Sequence, residues 1–233
     1  MKKKIGLLNY SFLIMSFFLF FSINGCKKDD SSTSGSNITD ADGNIYHAVT
    51  IGTQVWMVEN LKTTKYNDGD TIPLVTGVGA WPKLTTPGYC WYNNDKKTNK
   101  NSYGALYNWY AVNTEKLCPT GWHVPTDTAW STLITYLGSD SIAGGKLKEA
   151  GTMHWLSPNT GASNSSGFTA LPGGSHYSND VFYLNSKYGW YWSSTANTST
   201  DAWHVYLIYN SATTTRKAAA NNLGFSVRCI KDN

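Results

Sequence analysis

Hydrophobic positions along the chain change character three times. Residues 12–23 form an apolar stretch broken only by Ser16 and Ser22. After a polar interval, short apolar runs of strand length follow at 46–51, 55–58 and 89–92. One amphipathic stripe then stands out. Trp130, Leu133, Ile134 and Leu137 recur at i, i+3, i+4 and i+7, which predicts a helix capped by Thr126 or Asp127 and ending at Gly138. Weaker patterns predict short helices over 105–112 and 142–150, the second interrupted by Gly144 and Gly145. The last third reads as strand and loop: a short strand and tight turn at 167–174, a strand at 189–195, and a chain end at 224–229. Another strand spans 203–209, with Trp203, Val205, Leu207 and Tyr209 on one face. Asp40, Asp42 and Gly43 mark a turn, and 67–87 reads as irregular loop. Short mixed strands with few helices predict one α+β domain over 38–233.

The first apolar stretch is too short to span a bilayer, which takes about 20 apolar residues. Preceded by Lys2, Lys3 and Lys4, it reads as the core of a signal peptide over 1–25. Its end, Ile23-Asn24-Gly25-Cys26, resembles a bacterial lipoprotein signal, in which the cysteine takes lipid and becomes the mature N-terminus. Acyl chains contribute about 0.8 kcal/mol per buried CH₂, so a lipidated Cys26 implies a membrane anchor. Residues 26–37 are Ser-, Gly- and charge-rich and read as a flexible tether reaching about 20 Å. Lys28-Asp29-Asp30 within it resembles an export tag for the outer face of the outer membrane, so localisation there, facing the exterior, is the expectation.

Charge removes one class of partner. Taking Lys2, Lys3 and Lys4 from the nineteen basic residues leaves sixteen against fifteen acids, and only Arg216 and Arg228 are arginines. Such a near-neutral chain lacks the basic footprint of a nucleic-acid groove.

The order of several motifs is specific. Cys118-Pro119-Thr120-Gly121-Trp122-His123-Val124-Pro125-Thr126-Asp127 precedes the helical stripe. Gly167-Phe168-Thr169-Ala170-Leu171-Pro172-Gly173-Gly174, Tyr191-Trp192-Ser193-Ser194-Thr195 and Gly224-Phe225-Ser226-Val227-Arg228-Cys229 come later. Together with Trp56-Met57-Val58-Glu59-Asn60-Leu61 and Tyr103-Gly104-Ala105-Leu106-Tyr107-Asn108-Trp109, this order resembles the Fibrobacter succinogenes major paralogous domain over about 38–232. The resemblance implies a C-type lectin-like α+β fold closed by its two chain ends, and it implies no activity.

Candidate chemistry is sparse. With Cys26 lipidated, Cys90, Cys118 and Cys229 remain in an oxidising compartment. Cys118 opens the recognisable core and Cys229 closes it, which favours that pair and leaves Cys90 free; a Cys90–Cys118 pair is the alternative. The five histidines show no metal-binding spacing, His123 reads as a structural residue, and His204 falls on the strand face opposite Trp203 and Val205, where solvent exposure is the default. Asn93, Asn94, Asp95, Asp68 and Asp70 offer oxygen donors for calcium, but turn chemistry explains them equally. No nucleophile elbow, phosphate loop or paired catalytic glutamates can be picked out.

All ten tryptophans follow Cys26, an aromatic load suited to stacking on sugars or anchoring a protein partner. Trp81 and Trp155, each in a loop context, are the candidates for exposed ligand contact. The resulting expectation is a lipid-anchored, non-enzymatic surface module that binds a glycan or protein and needs no cofactor. The alternatives are a secreted hydrolase with a site assembled from distant residues, and a passive coat component.

Overall fold

The computed structural model describes residues 37–177 and 179–232, together with Met1. The expected signal peptide beyond Met1, Cys26 and the expected tether as far as residue 36 lie outside the described residues.

Turn chemistry sets the first elements. Asp40 Oδ1 accepts the N–H groups of Asp42 and Asn44 at 3.0 and 2.9 Å, and Gly43 takes a φ of 79°. That turn joins β1 (Ile38–Thr39) to β2 (Ile45–Tyr46), and a tight turn at Gly52 joins β3 (Ala48–Ile51) to β4 (Gln54–Met57). There follow β5 (Tyr89–Cys90), α1 (Lys96–Tyr103), β6 (Leu106–Tyr107), α2 (Trp109–Val112) and β7 (Trp122–His123). Next come α3 (Asp127–Tyr136), α4 (Asp140–Leu147), β8 (Ser175–His176) and β9 (Phe182–Tyr183). The chain closes with β10 (Tyr188–Ala196), β11 (Asp201–Ile208), β12 (Thr214–Ala220) and β13 (Ile230–Lys231). Among the described residues, small sheets and four α-helices make this an α+β fold, and all of them apart from Met1 belong to one compact unit. Among the described residues no helix is long and apolar enough to cross a membrane.

Two sheets organise the core. β13 lies between β4 and β7, with Ile230 opposite both Trp56 and His123, so the last strand returns to the first sheet. The Cys118–Cys229 disulfide fastens this closure, joining residues 111 apart in sequence with their Cα atoms at 6.1 Å. The second sheet, β10-β11-β12, is covered on both faces over its central part. Trp190 and Trp192 pack with Tyr107, Phe225 and the disulfide, whereas Tyr191, Val205 and Leu207 pack with Trp56, Trp130 and Phe168. Helix α3 adds its stripe to the second cluster: Trp130, Leu133 and Ile134 are buried, and the Thr126 hydroxyl accepts the Ala129 N–H at 3.1 Å as N-cap.

Several elements depart from the sequence expectation. The strand expected in 167–174 does not form; Gly167, Thr169 and Gly174 take φ of 72°, 53° and 69°, and Ala170 makes a single bridge to Lys148. The helix expected over 105–112 divides, because Leu106 and Tyr107 pair with β5 and Asn108 then caps the one-turn α2. Residues 224–226 bridge to His176, Tyr107 and Tyr191 separately instead of running as one ladder. Helix α1 and strand β12 are additions: α1 is polar nearly all round with only Asn99 buried, and β12 is largely exposed.

Candidate functional site

The three-stranded sheet builds a groove on one face. Register places Trp190 opposite Tyr206, Trp192 opposite His204, and His204 opposite Lys217. Side chains two apart on a strand share a face, so Tyr188, Trp190, Tyr206, His204 and Lys217 converge on one side. Tyr177 and Leu184, on the segment leading into β10, supply the opposite wall, and Phe225 lines the groove as well. The space is about 410 Å³, within the range of small-molecule sites.

Its surfaces are aromatic. Tyr188 stacks on Trp190 at 4.7 Å and 9°, and Trp190 continues onto Phe225 at 5.9 Å and 11°. Trp190 itself is buried and stiffens the wall; the surface left to a ligand comes from half-buried Tyr188 and Tyr206 and from Tyr177, 37% exposed. Burial raises the Tyr177 phenol above its ordinary value, so it stays a neutral O–H donor.

His204 is the one deeply buried polar side chain lining the groove. It is 6% exposed, packs against Phe225 at 5.0 Å and Trp192 at 6.1 Å, and its Nδ1 has no hydrogen-bond partner. Burial first, and the Lys217 charge second, bring its pKa down to about 4, so the ring is neutral at neutral pH. Lys217 makes no ion pair among the described residues, and no carboxylate lines the groove.

The structure corrects three expectations of exposure. Trp81 is 0% exposed and packs against the His176 ring, tilted at 44° with centroids 4.6 Å apart, within a small cluster containing Cys90 and Leu106. Trp155 is 1% exposed; its indole N–H donates to the Ala170 carbonyl at 2.8 Å and its ring lies under the Lys148 ammonium. The two tryptophans belong to separate core clusters and share no groove. His204, read as solvent-facing, is buried because the even-numbered face of β11 packs on Trp192 and Phe225. The sequence placed His204 on a solvent-facing strand face but did not reveal the groove, because Tyr177, Leu184 and Phe225, which line it beside the sheet, come from other segments of the chain.

Other candidate chemistry is accounted for locally. Cys118 is bonded to Cys229, and Cys90 is a free, buried thiol. Asn93 and Asn94 take φ of 51° and 55° in a turn, Asp95 Oδ1 accepts the Thr98 N–H at the start of α1, and Asp68 pairs with Lys116 at 2.7 Å. Among the described residues no three His, Cys, Asp or Glu side chains come together as a metal-holding group.

Two further places bear on catalysis. Cys90 Sγ lies 3.6 Å from His176 Nδ1, and His176 Nε2 lies 3.3 Å from Asp180 Oδ1. That order of groups is the one a cysteine nucleophile uses. Here burial pushes the thiol well up and the imidazole down, and Trp81 and Phe182 both pack on the His176 ring, so the thiol is held protonated. A larger cleft of about 590 Å³ lies beside the disulfide, with Trp122, Glu115, His123 and Asp232 among its walls. His123 Nδ1 and Asp232 Oδ1 already satisfy each other at 2.6 Å.

Both cysteines of the disulfide and the strands of both organising sheets lie within, or begin at the edge of, the span that one family matches. The chain belongs to the Fibrobacter succinogenes major domain family, whose profile matches residues 49–231. No curated protein and no solved structure matches the chain.

Proposed function

We propose that this protein is a lipid-anchored, non-enzymatic module on the exterior face of the outer membrane, C-type lectin-like in fold, which binds a glycan through the groove of its three-stranded sheet. The observation that carries the reading is the set of Tyr177, Tyr188 and Tyr206 around a space of about 410 Å³. Tyrosine rings present flat apolar faces to the C–H surfaces of sugars, while their hydroxyls bond sugar O–H groups at the rim. The stacked Trp190 and Phe225 hold these faces in place before a ligand arrives, which lowers the ordering cost of binding. The anchor rests on Cys26 and the leader before it. The return of β13 to the sheet of β3 and β4 supports the lectin-like reading.

The test is binding by the purified full-length protein in detergent, on a glycan array and on isolated cell wall, with and without calcium. Tyr206→Ala should abolish the signal while the protein remains folded. Clean negatives for the wild-type protein on both supports, at high concentration, would sink the glycan reading, and capture of a defined protein instead would transfer the groove to a protein partner.

A further inference from the structure

The lining of the groove is lopsided in charge. On one side stands the Lys217 ammonium, exposed and without an ion pair among the described residues. Opposite it in register stands His204, with Nδ1 buried and unpartnered. Buried polar atoms are nearly always hydrogen-bonded, so an orphan nitrogen lining a binding groove marks a place where a ligand atom belongs. Both groups can donate to an anion, Lys217 always and His204 in the tautomer or charge state that puts a proton on Nδ1. The tyrosine hydroxyls around them are donors too. Among the described residues no Asp or Glu side chain lines the groove, so it offers no carboxylate acceptor to the O–H groups of a neutral sugar.

We infer that the groove selects an anionic saccharide, one whose carboxylate or sulfate sits against Lys217 and His204 while its ring stacks on Tyr206 and Tyr188. This rests on the glycan reading above and names the ligand class within it. An anion there supplies the countercharge that Lys217 lacks and a partner for the His204 nitrogen. A neutral sugar can supply the hydrogen-bond partner but not the countercharge.

The inference is checked by titrating the full-length protein with tetragalacturonate and with its fully methyl-esterified form, which keeps the skeleton and removes the charge. A carrageenan tetrasaccharide, which carries sulfate and no carboxylate, forms a third arm and separates sulfate from carboxylate recognition. The expected result is at least about fivefold tighter binding of one charged ligand than of the ester, the worth of a modest ion pair. That preference should shrink with salt and disappear in Lys217→Gln, while Tyr206→Ala loses charged and neutral ligands alike. Equal affinity for acid and ester, unchanged in Lys217→Gln, would overturn the anionic preference and leave the glycan reading standing. No binding of any of the three would likewise overturn the anionic preference, and the glycan reading would then fall only with the array and cell-wall negatives described above.

Discussion

Arg228 donates to the amide oxygen of Asn60 through both Nε and Nη2, at 3.2 and 2.7 Å, inside a core where neither side chain reaches solvent. Its remaining hydrogen bonds go to the carbonyls of Met57, Phe168 and Thr169, so every partner is a neutral oxygen. The guanidinium also lies 4.3 Å over the Phe168 ring. Burial lowers its pKa to about 10, which leaves it charged at neutral pH. One side chain thereby ties β4, the following turn and the irregular 167–174 segment together, and it does the work of the strand that those residues do not form.

Removing that charge should be costly. Arg228→Met takes the Arg228 donors from the buried carbonyls of Met57 and Phe168, the part-buried one of Thr169 and the Asn60 amide oxygen, and a loss of about 3–5 kcal/mol is expected. Arg228→Lys should recover only part of this, because an ammonium has three donors on a point and cannot span the same fork. Urea denaturation of the three proteins checks it. A methionine variant as stable as wild type would show that the carbonyls find other donors.

Trp81 and Trp155 should act on stability alone. Each fills core volume, so truncation to alanine is expected to cost about 3–5 kcal/mol. Phenylalanine at either site should cost less. Glycan affinity, measured where the variants are still folded, should be unchanged. A selective loss of affinity at full stability would return these tryptophans to the ligand site.

How far the sequence could be read depended on whether a residue's environment was local. Helix α3 was legible because its stripe, N-cap and terminal glycine all lie within thirteen residues. Strands β10 and β11 were legible from their β-branched and aromatic content. Their two-sided burial was not, since it depends on Phe225 and Phe168 arriving from distant segments. Trp81 misled for the same reason: a loop rich in Gly, Pro and Thr reads as surface, yet its tryptophan is drawn inward by His176 nearly a hundred residues away. Helix α1 carries no apolar stripe at all, so its pattern did not predict it, and Asp95, which caps it, read as a turn residue. The groove is the sum of such long-range placements, whereas the Cys118–Cys229 pair could be anticipated from the order of motifs.

Cysteine chemistry gives a separate check. The Cys118–Cys229 bond closes a loop of just over a hundred residues, and in the chain-entropy model such a loop stabilises by up to about 4.7 kcal/mol. Cys229→Ala should approach that loss. In the intact protein Cys90 should resist an alkylating reagent and react fully in denaturant, since its thiol is buried and held protonated. Mass spectrometry after alkylation reads both states. Rapid labelling of Cys90 in the native protein would mean that the Trp81 cover opens readily.

Acid should weaken the fold through His204. Its pKa falls from 6.5 in the unfolded chain to about 4 in the folded one, because burial and the nearby Lys217 disfavour the charged ring. Between those values the unfolded chain binds more protons than the folded one, so stability declines as the pH drops. The contribution is fully present above about pH 6.5 and is lost progressively down to about pH 4, by at most about 3 kcal/mol. His176 is shifted in the same direction by burial and adds to the slope. His204→Phe keeps an aromatic ring and removes the titration, so its urea midpoint should fall less steeply than that of wild type over this window. The residual slope belongs to His176 and the carboxylates. Identical pH profiles for the two proteins would mean that the His204 ring is hydrated in solution, and with it the floor of the groove.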